Sequence, residues 1–221
     1  MIKIIICSDG LLDTGRIRAV CHIICAGEFS GGFVGLRTGD SVIAVDGGLR
    51  YLEKLKITPD LIIGDFDSLG YVPDTGNIIK LSTEKDDTDT MAAVRAGFDM
   101  GFSVFYIHYG MGGRLDHTIA NIQTLAFIQQ NRGFGLLFGV KERAVLVDKS
   151  IGFSEQMKGY ISVFSYTSEA TGVFLEGLKY GLENGVLTNS FPVGCSNEFI
   201  GQKSCISIKE GTLLIIFQSC T

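Results

Sequence analysis

Residues 61–70 read LIIGDFDSLG, an apolar run that ends in two carboxylates, Asp65 and Asp67. The apolar run is short and continuous rather than alternating, which is typical of a strand covered on both faces of a sheet. The two acids either form a solvated turn, bonded to the backbone with Ser68 as a cap, or share one hard cation. We favour the cation, because adjacent like charges after an apolar strand are costly without one.

Short, continuous apolar runs of this kind recur along the first half of the chain. Residues 49–56 and 90–100 place apolar side chains at helical spacing, and Asp116 could cap a third helix. Strands that alternate with helices predict a doubly wound, mostly parallel α/β sheet with helices on both faces. The strand candidates are residues 20–26, 41–45, 61–64 and 103–109.

The texture changes near residue 132, where short apolar runs separated by Gly, Ser, Asn and Thr begin. Their spacing is typical of a small antiparallel sandwich or barrel. We therefore predict an α/β domain over residues 1–132 and an all-β domain over residues 133–221. The runs are GLLFGV, AVLVDK, YISVFSY, GVFLEG, SCISIK and TLLIIF.

Composition limits the partners. The chain has 221 residues, 46% hydrophobic and 19% charged, which is enough to bury a core. A net charge of −5 argues against nucleic acid or an anionic membrane surface as the main partner, since both require clustered basic side chains. A phosphorylated ligand must therefore arrive with a metal ion or meet a few well-placed cations.

The cysteines and the first residues indicate a cytoplasmic address. None of the six cysteines forms a C-x-x-C pair. Cys21 and Cys25 lie near His22 but have no second pair at zinc-site spacing, so buried free thiols in a reducing compartment are favoured over a structural metal. The opening MIKIIICSDG is too short for a membrane span and has no signal-cleavage pattern.

Chemistry is expected in the loops after the strands, because ligands of open α/β sheets bind beyond the carboxyl ends of the strands. Acids and glycines, which suit metal-bound phosphate, concentrate in these loops. They read AGEFSGG (26–32), DGGLR (46–50), GDFDSLG (64–70) and GMGGRLDH (110–117), with TEKDDTD (83–89) just ahead of a helix.

In DGGLR, Asp46 follows a strand, and Gly47 and Gly48 let the backbone turn tightly towards a ligand at the start of a helix. A simple strand-to-helix turn with an Asp cap explains the same residues. In TEKDDTD, a helix N-terminus accounts for one or two of the acids. The others indicate a second arm of a metal site, through Asp89 and its neighbour Asp86.

In GMGGRLDH, glycines including Gly113 precede Arg114, whose planar fork suits a phosphate. The alternative is a glycine-rich connection with Asp116 as the cap and Arg114 exposed. His117 is interpreted as a capping or structural residue, and the other histidines, His22 and His108, lie in strand runs and are expected to be packed.

The chain lacks the G-x-x-x-x-G-K-[ST], G-x-G-x-x-G and G-x-S-x-G motifs, which removes three common α/β enzyme classes. The segments DGG, GDFDS, KDDTD and GGRLDHTIAN, in that order, closely resemble the thiamine pyrophosphokinase family. The later segments SEATGVFLEGLKYGL and GCSNEF are similar to the family's T-G-V, G-L-K-Y-P-L and G-x-S-N-E-F motifs. The likeness covers roughly residues 20–217.

The resemblance implies transfer of a pyrophosphoryl group from ATP to the hydroxyethyl oxygen of thiamine, which gives thiamine diphosphate and AMP with Mg²⁺. It also implies a homodimer with thiamine between subunits. Asp65, Asp67 and Asp89 would bind Mg²⁺, and the catalytic set would be Asp67, Asp89, Arg114 and Asp116. ATP would meet Asp46, Gly47, Gly48, Asp65, Gly113 and Arg114, and thiamine would meet Asp67, Asp116, Ser196 and Asn197.

The chain departs from the family pattern in three ways. Gly181 stands where the family often has Pro, the chain contains no Trp, and about 18 residues precede the first family-like strand, either as an extra strand or as a leader. Ring stacking on the substrate would therefore need Phe191 or Phe199. Two other functions stay open: a haloacid-dehalogenase-type phosphatase with Asp65 as nucleophile, and a non-catalytic thiamine- or nucleotide-binding protein.

Overall fold

A computed structural model describes residues 4–6, 12–13, 19–29, 35–67, 69–71, 73, 76–82 and 87–218. The strands are β1 Ile5–Ile6, β2 Leu12–Asp13, β3 Cys21–Ile24, β4 Ser41–Val45, β5 Leu61–Gly64, β6 Ile78–Lys80, β7 Val104–His108, β8 Phe134–Phe138, β9 Glu142–Val147, β10 Ser150–Phe153, β11 Tyr160–Ser165, β12 Glu169–Glu176, β13 Leu182–Thr188, β14 Asn197–Glu198, β15 Ser204–Ser207 and β16 Leu213–Gln218. The helices are α1 Leu49–Leu55, α2 Asp89–Asp99 and α3 Leu115–Gln130, with a 3₁₀ turn at Asp46–Gly48.

The chain divides into two compact units, and residues 18–140 form one of them. In this unit the strands lie side by side in the order β8-β7-β3-β4-β5-β6, and each pairing is parallel. The strands β3, β4 and β7 are buried along their whole length, as expected for a sheet covered on both faces. The predicted mixed α/β class is therefore confirmed.

Helices cover both faces of this parallel sheet. On one face, Leu49 and Leu52 of α1 pack in a core cluster with Ile24 and Val42 of the strands. On the other face, α2 approaches so closely at Gly97 that an added Cβ would lie 2.6 Å from the ring of Phe105. Because side chains alternate along a strand, neighbouring residues of β3 supply both cores.

The parallel sheet extends beyond residue 132, where we expected the α/β part to end. β8 pairs in parallel with β7, and its residues 135–138 are buried. The crossover through α3 explains this position, because α3 packs on β8, with Leu125 and Ile128 against Gly135. GLLFGV was assigned from its apolar texture to the all-β part, and that assignment is wrong for β8.

Residues 1–17 and 141–221 form the other unit. One set of its strands lies in the order β13-β12-β15-β10-β1-β2, and another in the order β14-β11-β16-β9. The pairings are antiparallel except that between β1 and β10. Phe153 of the first set and Phe217 of the second pack edge to face, with ring centroids 5.2 Å apart. β1 and β2 show that part of the region before residue 18 forms strands.

Several sequence-based assignments fall outside the described residues: the cap at Ser68, the acids Glu84 and Asp86, and Cys7 and Cys220. Within the described part of the chain, no helix has the length and apolar character needed to cross a membrane. Cys21 and Cys25 are buried free thiols, and burial raises their pKa values to about 12 and about 11.

The unit of residues 18–140 contains a buried polar cluster on strands β3 and β7. The Nδ1 atom of His22 lies 3.0 Å from Nε2 of His108, and Nε2 of His22 lies 3.4 Å from a carboxylate oxygen of Asp40. Asp40 also accepts hydrogen bonds from the backbone N–H groups of Val20 and Arg37. Both histidines are therefore packed, as the sequence predicted, and His22 does not share a ligand position with Cys21, whose sulfur lies beside α2.

Acid should destabilise the protein through His22. Burial lowers the pKa of this imidazole below its ordinary value of 6.5, although Asp40 opposes the shift. Below that pH the unfolded chain binds more protons than the folded one, so stability is fully present above pH 6.5 and is lost as the pH falls. We expect this group to contribute a slope of up to about 1.4 kcal/mol per pH unit.

Urea denaturation between pH 5 and pH 8 measures this effect. The free energy of unfolding of a His22→Gln variant should depend less on pH over that interval than that of the wild type. Equal pH dependence of the two proteins would show that the titration of His22 does not govern acid stability.

Candidate active site

The strand order of residues 18–140 places a crevice between β3 and β7. The chain passes from β3 through β4 and β5 in one direction, and then resumes on the other side of β3 with β7 and β8. The chain therefore continues from β3 and from β7 in opposite directions along the sheet, and the carboxyl ends of two such strands are where open α/β sheets bind ligands. Residues 26–29 after β3 and residues 110–114 after β7 flank this point.

Backbone segments meet here without intervening side chains. The N–H of Cys25 donates to the carbonyl of His108, and the N–H of Gly27 donates to the carbonyl of Tyr109, both at 3.0 Å. A Cβ at Gly27 would overlap that Tyr109 carbonyl oxygen, and a Cβ at Gly48 would overlap the carbonyl of Ile24. Glycine is therefore required by close approach at both positions.

Asp46 and Asp65 lie on neighbouring strand ends. Asp46 begins the 3₁₀ turn after β4 with a left-handed φ of 46°, and Gly47 and Gly48 of that turn are buried. An added Cβ at Gly64 would lie 3.1 Å from the Cα of Asp46, so the two loops touch just before Asp65. The half-buried Asp65 accepts a hydrogen bond of 3.1 Å from the backbone N–H of Asp67, which is exposed.

Phe66 orients this pair of acids. Its backbone is left-handed, with φ of 65°, and its ring is only 3% exposed, in the cluster that α1 covers. The carbonyl of Phe66 accepts hydrogen bonds from the N–H groups of Leu69 and Gly70, and Arg50 donates to the carbonyl of Leu69. Burial of this ring between two polar residues leaves both carboxylates at the surface.

Asp89 is the first residue of α2. The hydroxyl of Thr88 accepts a hydrogen bond from the N–H of Met91 and so caps the helix, while Asp87 forms an exposed ion pair with Arg95 at 3.0 Å. Thr88 and Asp87 thus have structural roles. Asp89 faces the crevice beside Cys25, whose thiol lies 3.5 Å from the hydroxyl of Thr90.

Arg114 and Asp116 pair with each other at the start of α3. Nη2 and Nε of Arg114 donate to the two carboxylate oxygens of Asp116 at 2.6 and 3.2 Å, and both side chains are exposed. The hydrogen bond from Arg114 lowers the pKa of Asp116. The alternative in which Asp116 is the helix cap does not hold, because Arg114 occupies the cap position and Asp116 lies in the first turn.

These loops surround a cavity of about 630 Å³, within the size range of small-molecule sites. Asp65 and Asp67 are not among its lining residues. Within the described part of the chain, no group of three His, Cys, Asp or Glu side chains is close enough to hold a metal. Charged and polar residues in the cavity wall include Glu28, Asp46, Asp89, Arg114 and Asn121, together with Gly113.

Ser196 and Asn197 belong to the other unit. Ser196 is exposed, has a left-handed φ of 60°, and donates its N–H to the hydroxyl of Ser162. Asn197 is buried, and its side-chain amide donates to the carbonyl of Tyr180 and accepts from the N–H of Tyr180. A third bond runs from the N–H of Glu198 to the same Asn197 oxygen. Asn197 therefore fixes the Tyr180 loop.

Two family models match this chain. The thiamin pyrophosphokinase catalytic domain matches residues 36–134, and the thiamin pyrophosphokinase vitamin B1 binding domain matches residues 147–213. The chain belongs to the thiamin pyrophosphokinase family. This confirms the resemblance drawn from the motifs, and it supports thiamine pyrophosphokinase as the activity.

Two relatives support this family assignment, and one solved structure supports the fold. A thiamine pyrophosphokinase of Bacillus subtilis is 29% identical over 192 residues, 79% of this chain and 85% of the relative. A thiamin pyrophosphokinase of Caenorhabditis elegans is 26% identical over 193 residues, 78% of this chain and 76% of the relative. The crystal structure of a Bacillus subtilis thiamine pyrophosphokinase superposes with a TM-score of 0.80 at 23% identity, covering 91% of this chain and 100% of that one, and supports the fold.

Sequence reasoning missed three residues at the cavity of this family member. Glu28 and Thr90 line the wall, and the buried Asn121 donates a 2.7 Å hydrogen bond to the carbonyl of Gly110. Glu28 lay in a loop already recognised as a strand-end loop, and Asn121 lay within the GGRLDHTIAN motif. Its place in the cavity wall identifies Glu28, whereas burial and hydrogen bonds identify Thr90 and Asn121, and spacing alone gives neither.

The close approach at Gly48 gives a test of this architecture. A Gly48→Ala substitution forces the turn away from the carbonyl of Ile24, and we expect it to lower the free energy of unfolding by about 2 kcal/mol or more. Gly35→Ala is the matched control, because a Cβ at Gly35 meets nothing within 4 Å. Urea denaturation compares the two variants, and equal midpoints would contradict the packing described here.

Proposed function

We propose that this protein transfers the pyrophosphoryl group of ATP to the hydroxyethyl oxygen of thiamine, with release of AMP, at the crevice between β3 and β7. One observation carries the assignment of the site: the cavity at the switch point of the sheet gathers Asp46, Asp89, Gly113 and Arg114, each of which was selected from sequence motifs. Family membership supplies the reaction class.

We further propose a division of labour between the units. Residues 18–140 would bind ATP and the metal, since the cavity lies wholly in this unit and the catalytic-domain model matches residues 36–134. Residues 141–221 would provide the β-sandwich that contacts thiamine, since the vitamin B1 binding model matches residues 147–213. Ser196 and the Tyr180 loop are the proposed contact region.

Mg²⁺ fits the acids of the first unit by the chemistry of its donors. Carboxylate oxygens are the ligands that Mg²⁺ prefers, and the ion is usually bound by one or two carboxylates together with water and substrate phosphates. Asp65, Asp67 and Asp89 are the proposed ligands. A gathered set of three is not needed for such binding, because the polyphosphate and water complete the coordination.

The protein's own residues would then position charge. When bound, Mg²⁺ would neutralise negative charge on the polyphosphate and make the phosphorus under attack more electrophilic. Arg114 offers a planar donor fork to the phosphates, provided that it exchanges its bond to Asp116 for one to the ligand. The new bond joins the thiamine oxygen to the β-phosphorus, the bond from that phosphorus to the AMP oxygen breaks, and the hydroxyl proton leaves. Asp116 or Asp67 is the proposed proton acceptor.

The acceptor and the assembly follow the family pattern in this proposal. Thiamine carries a thiazolium cation, which suits acidic side chains and a chain of net charge −5. We propose a cytoplasmic homodimer with thiamine between subunits. Exposed apolar side chains in the second unit offer a surface for such contacts: Tyr160, Tyr180, Val186, Phe191, Val193 and Ile200.

The reaction is tested by incubating the protein with ATP, thiamine and Mg²⁺. We expect AMP and thiamine diphosphate in equal amounts, and no turnover when a chelator removes the metal. Release of inorganic phosphate from phosphate monoesters without AMP would instead indicate the phosphatase alternative, and thiamine binding without product would indicate a non-catalytic protein.

Asp67→Asn tests the metal assignment. The change removes one negative charge but keeps the size of the side chain, and Asp67 is exposed, so the fold should be unaffected. We expect turnover to fall by at least about a hundredfold, because charge neutralisation is the main demand of phosphoryl-type transfer. Product formation at saturating ATP and Mg²⁺ measures the loss.

Asp99→Asn is the matched control for this variant, because Asp99 is an exposed carboxylate at the end of α2 and does not line the cavity. It should retain wild-type turnover. Near-normal activity of Asp67→Asn, with both variants melting at the wild-type temperature, would remove Asp67 from the metal site.

A further inference from the structure

The loop after β3 places one carboxylate in the cavity that the family motifs of this chain do not explain. Glu28 lies in AGEFSGG, ahead of the DGG segment, and its side chain is exposed in the cavity wall. Its neighbours along the chain, Gly27 and Phe29, are partly buried. A charged side chain at a fixed place in a nucleotide-sized cavity raises the question of what it recognises.

The backbone around Glu28 is fixed on both sides. Before it, Gly27 donates its N–H to the carbonyl of Tyr109 and accepts a 2.7 Å hydrogen bond from the hydroxyl of Tyr51 at its own carbonyl. After it, the ring of Phe29 stacks on Tyr51 with centroids 4.7 Å apart and packs against Tyr109 at 5.2 Å. The ammonium of Lys54 lies 5.6 Å from the centre of the Phe29 ring.

Glu28 is directed at the loop that follows β7. An added Cβ at Gly112 would lie 3.0 Å from Oε2 of Glu28 and 3.1 Å from its Cβ, so the carboxylate lies against the backbone of Gly112. Gly112 has a φ of 88°, and an added Cβ at the next residue, Gly113, meets nothing within 4 Å. The space beside Gly113 is therefore open, next to the backbone of Gly112 that Glu28 contacts. Arg114 is the next residue along the chain.

A carboxylate in this position favours a ligand group that donates hydrogen bonds and disfavours an anionic one. An ionised Glu only accepts hydrogen bonds, and it repels phosphate. If Arg114 binds the polyphosphate, the next group along the nucleotide is the ribose, whose hydroxyls are donors. A carboxylate beside the crevice of an open α/β sheet meets ribose hydroxyls in the same way in dinucleotide-binding folds.

We propose that Glu28 is a specificity-determining residue for the nucleotide, accepting a hydrogen bond from a ribose hydroxyl of ATP. This assignment depends on the proposed function, since it takes ATP to be the donor bound in the crevice. Gly27, Tyr51 and Phe29 act as positioning residues, because they hold the backbone of Glu28 against the loop after β7. The role is discrimination between ribose and deoxyribose rather than chemistry at phosphorus.

The test compares ATP with 2′-deoxy-ATP and 3′-deoxy-ATP in the wild type and in Glu28→Gln. For the wild type we expect kcat/KM to fall about tenfold with the analogue that lacks the bound hydroxyl, as for loss of a hydrogen bond to a charged group. For Glu28→Gln we expect a smaller fall with ATP itself, carried by KM, because the neutral amide oxygen accepts a weaker hydrogen bond than a carboxylate does. The further fall with the analogue should then be smaller than in the wild type. Glu155→Gln, an exposed carboxylate outside the cavity wall, is the matched control and should behave as the wild type.

Three results would overturn the proposal: equal discrimination against the deoxy analogues in wild type and Glu28→Gln, a fall in kcat without a change in KM for ATP, or a change confined to KM for thiamine. Calorimetric titration with the same three nucleotides separates this proposal from the proposed function. If the wild type forms no AMP from ATP and thiamine, the proposed function fails, while a binding preference for ATP over a deoxy analogue that is weakened in Glu28→Gln would still support the assignment of Glu28.

Discussion

Direct contact between backbone segments at the carboxyl ends of β3, β4 and β7 is the constraint on which the candidate site depends. Gly27 and Gly48 have no room for a side chain, because each faces a carbonyl of the adjacent strand end. The contact at Gly27 includes a hydrogen bond to the carbonyl of Tyr109, so that loops far apart in sequence form one wall. A larger residue at either position would separate the strand ends and open the cavity.

Charge decides what such a cavity accepts. Glu28, Asp46 and Asp89 contribute carboxylates and Arg114 contributes one guanidinium, so the wall is more negative than positive. This arrangement would repel a bare polyphosphate, and it would suit the metal-complexed nucleotide and the cationic acceptor that we propose. The net charge of the whole chain has the same sign, which agrees with a cationic second substrate rather than with nucleic acid.

Short sequence patterns predicted the strands whose formation depends on neighbouring residues, but not the contacts between distant segments. The continuous apolar runs predicted β3, β4, β5 and β7, because most residues of a strand that is covered on both faces are apolar. Periodicity did not give the position of β8, since a short apolar run looks the same in a parallel sheet and in a sandwich. Glu28 and Asn121 were missed because their roles arise from contacts between distant segments. Residue type offered a helix cap as one role for Asp116, whereas its bond to Arg114 depends on the conformation of the loop before α3.

Phe66 links the position of two acids to the hydrophobic core. Its ring packs among the residues under α1. The residues on either side of it are the half-buried Asp65 and the exposed Asp67. Any ligand that binds both carboxylates therefore also favours the buried state of this ring. By mass action, such a ligand raises the free energy needed to open α1 and the adjoining loop, in proportion to the logarithm of its concentration relative to its dissociation constant. The free energy of local unfolding of α1 would therefore rise with the fraction of protein that has a ligand bound at the two acids.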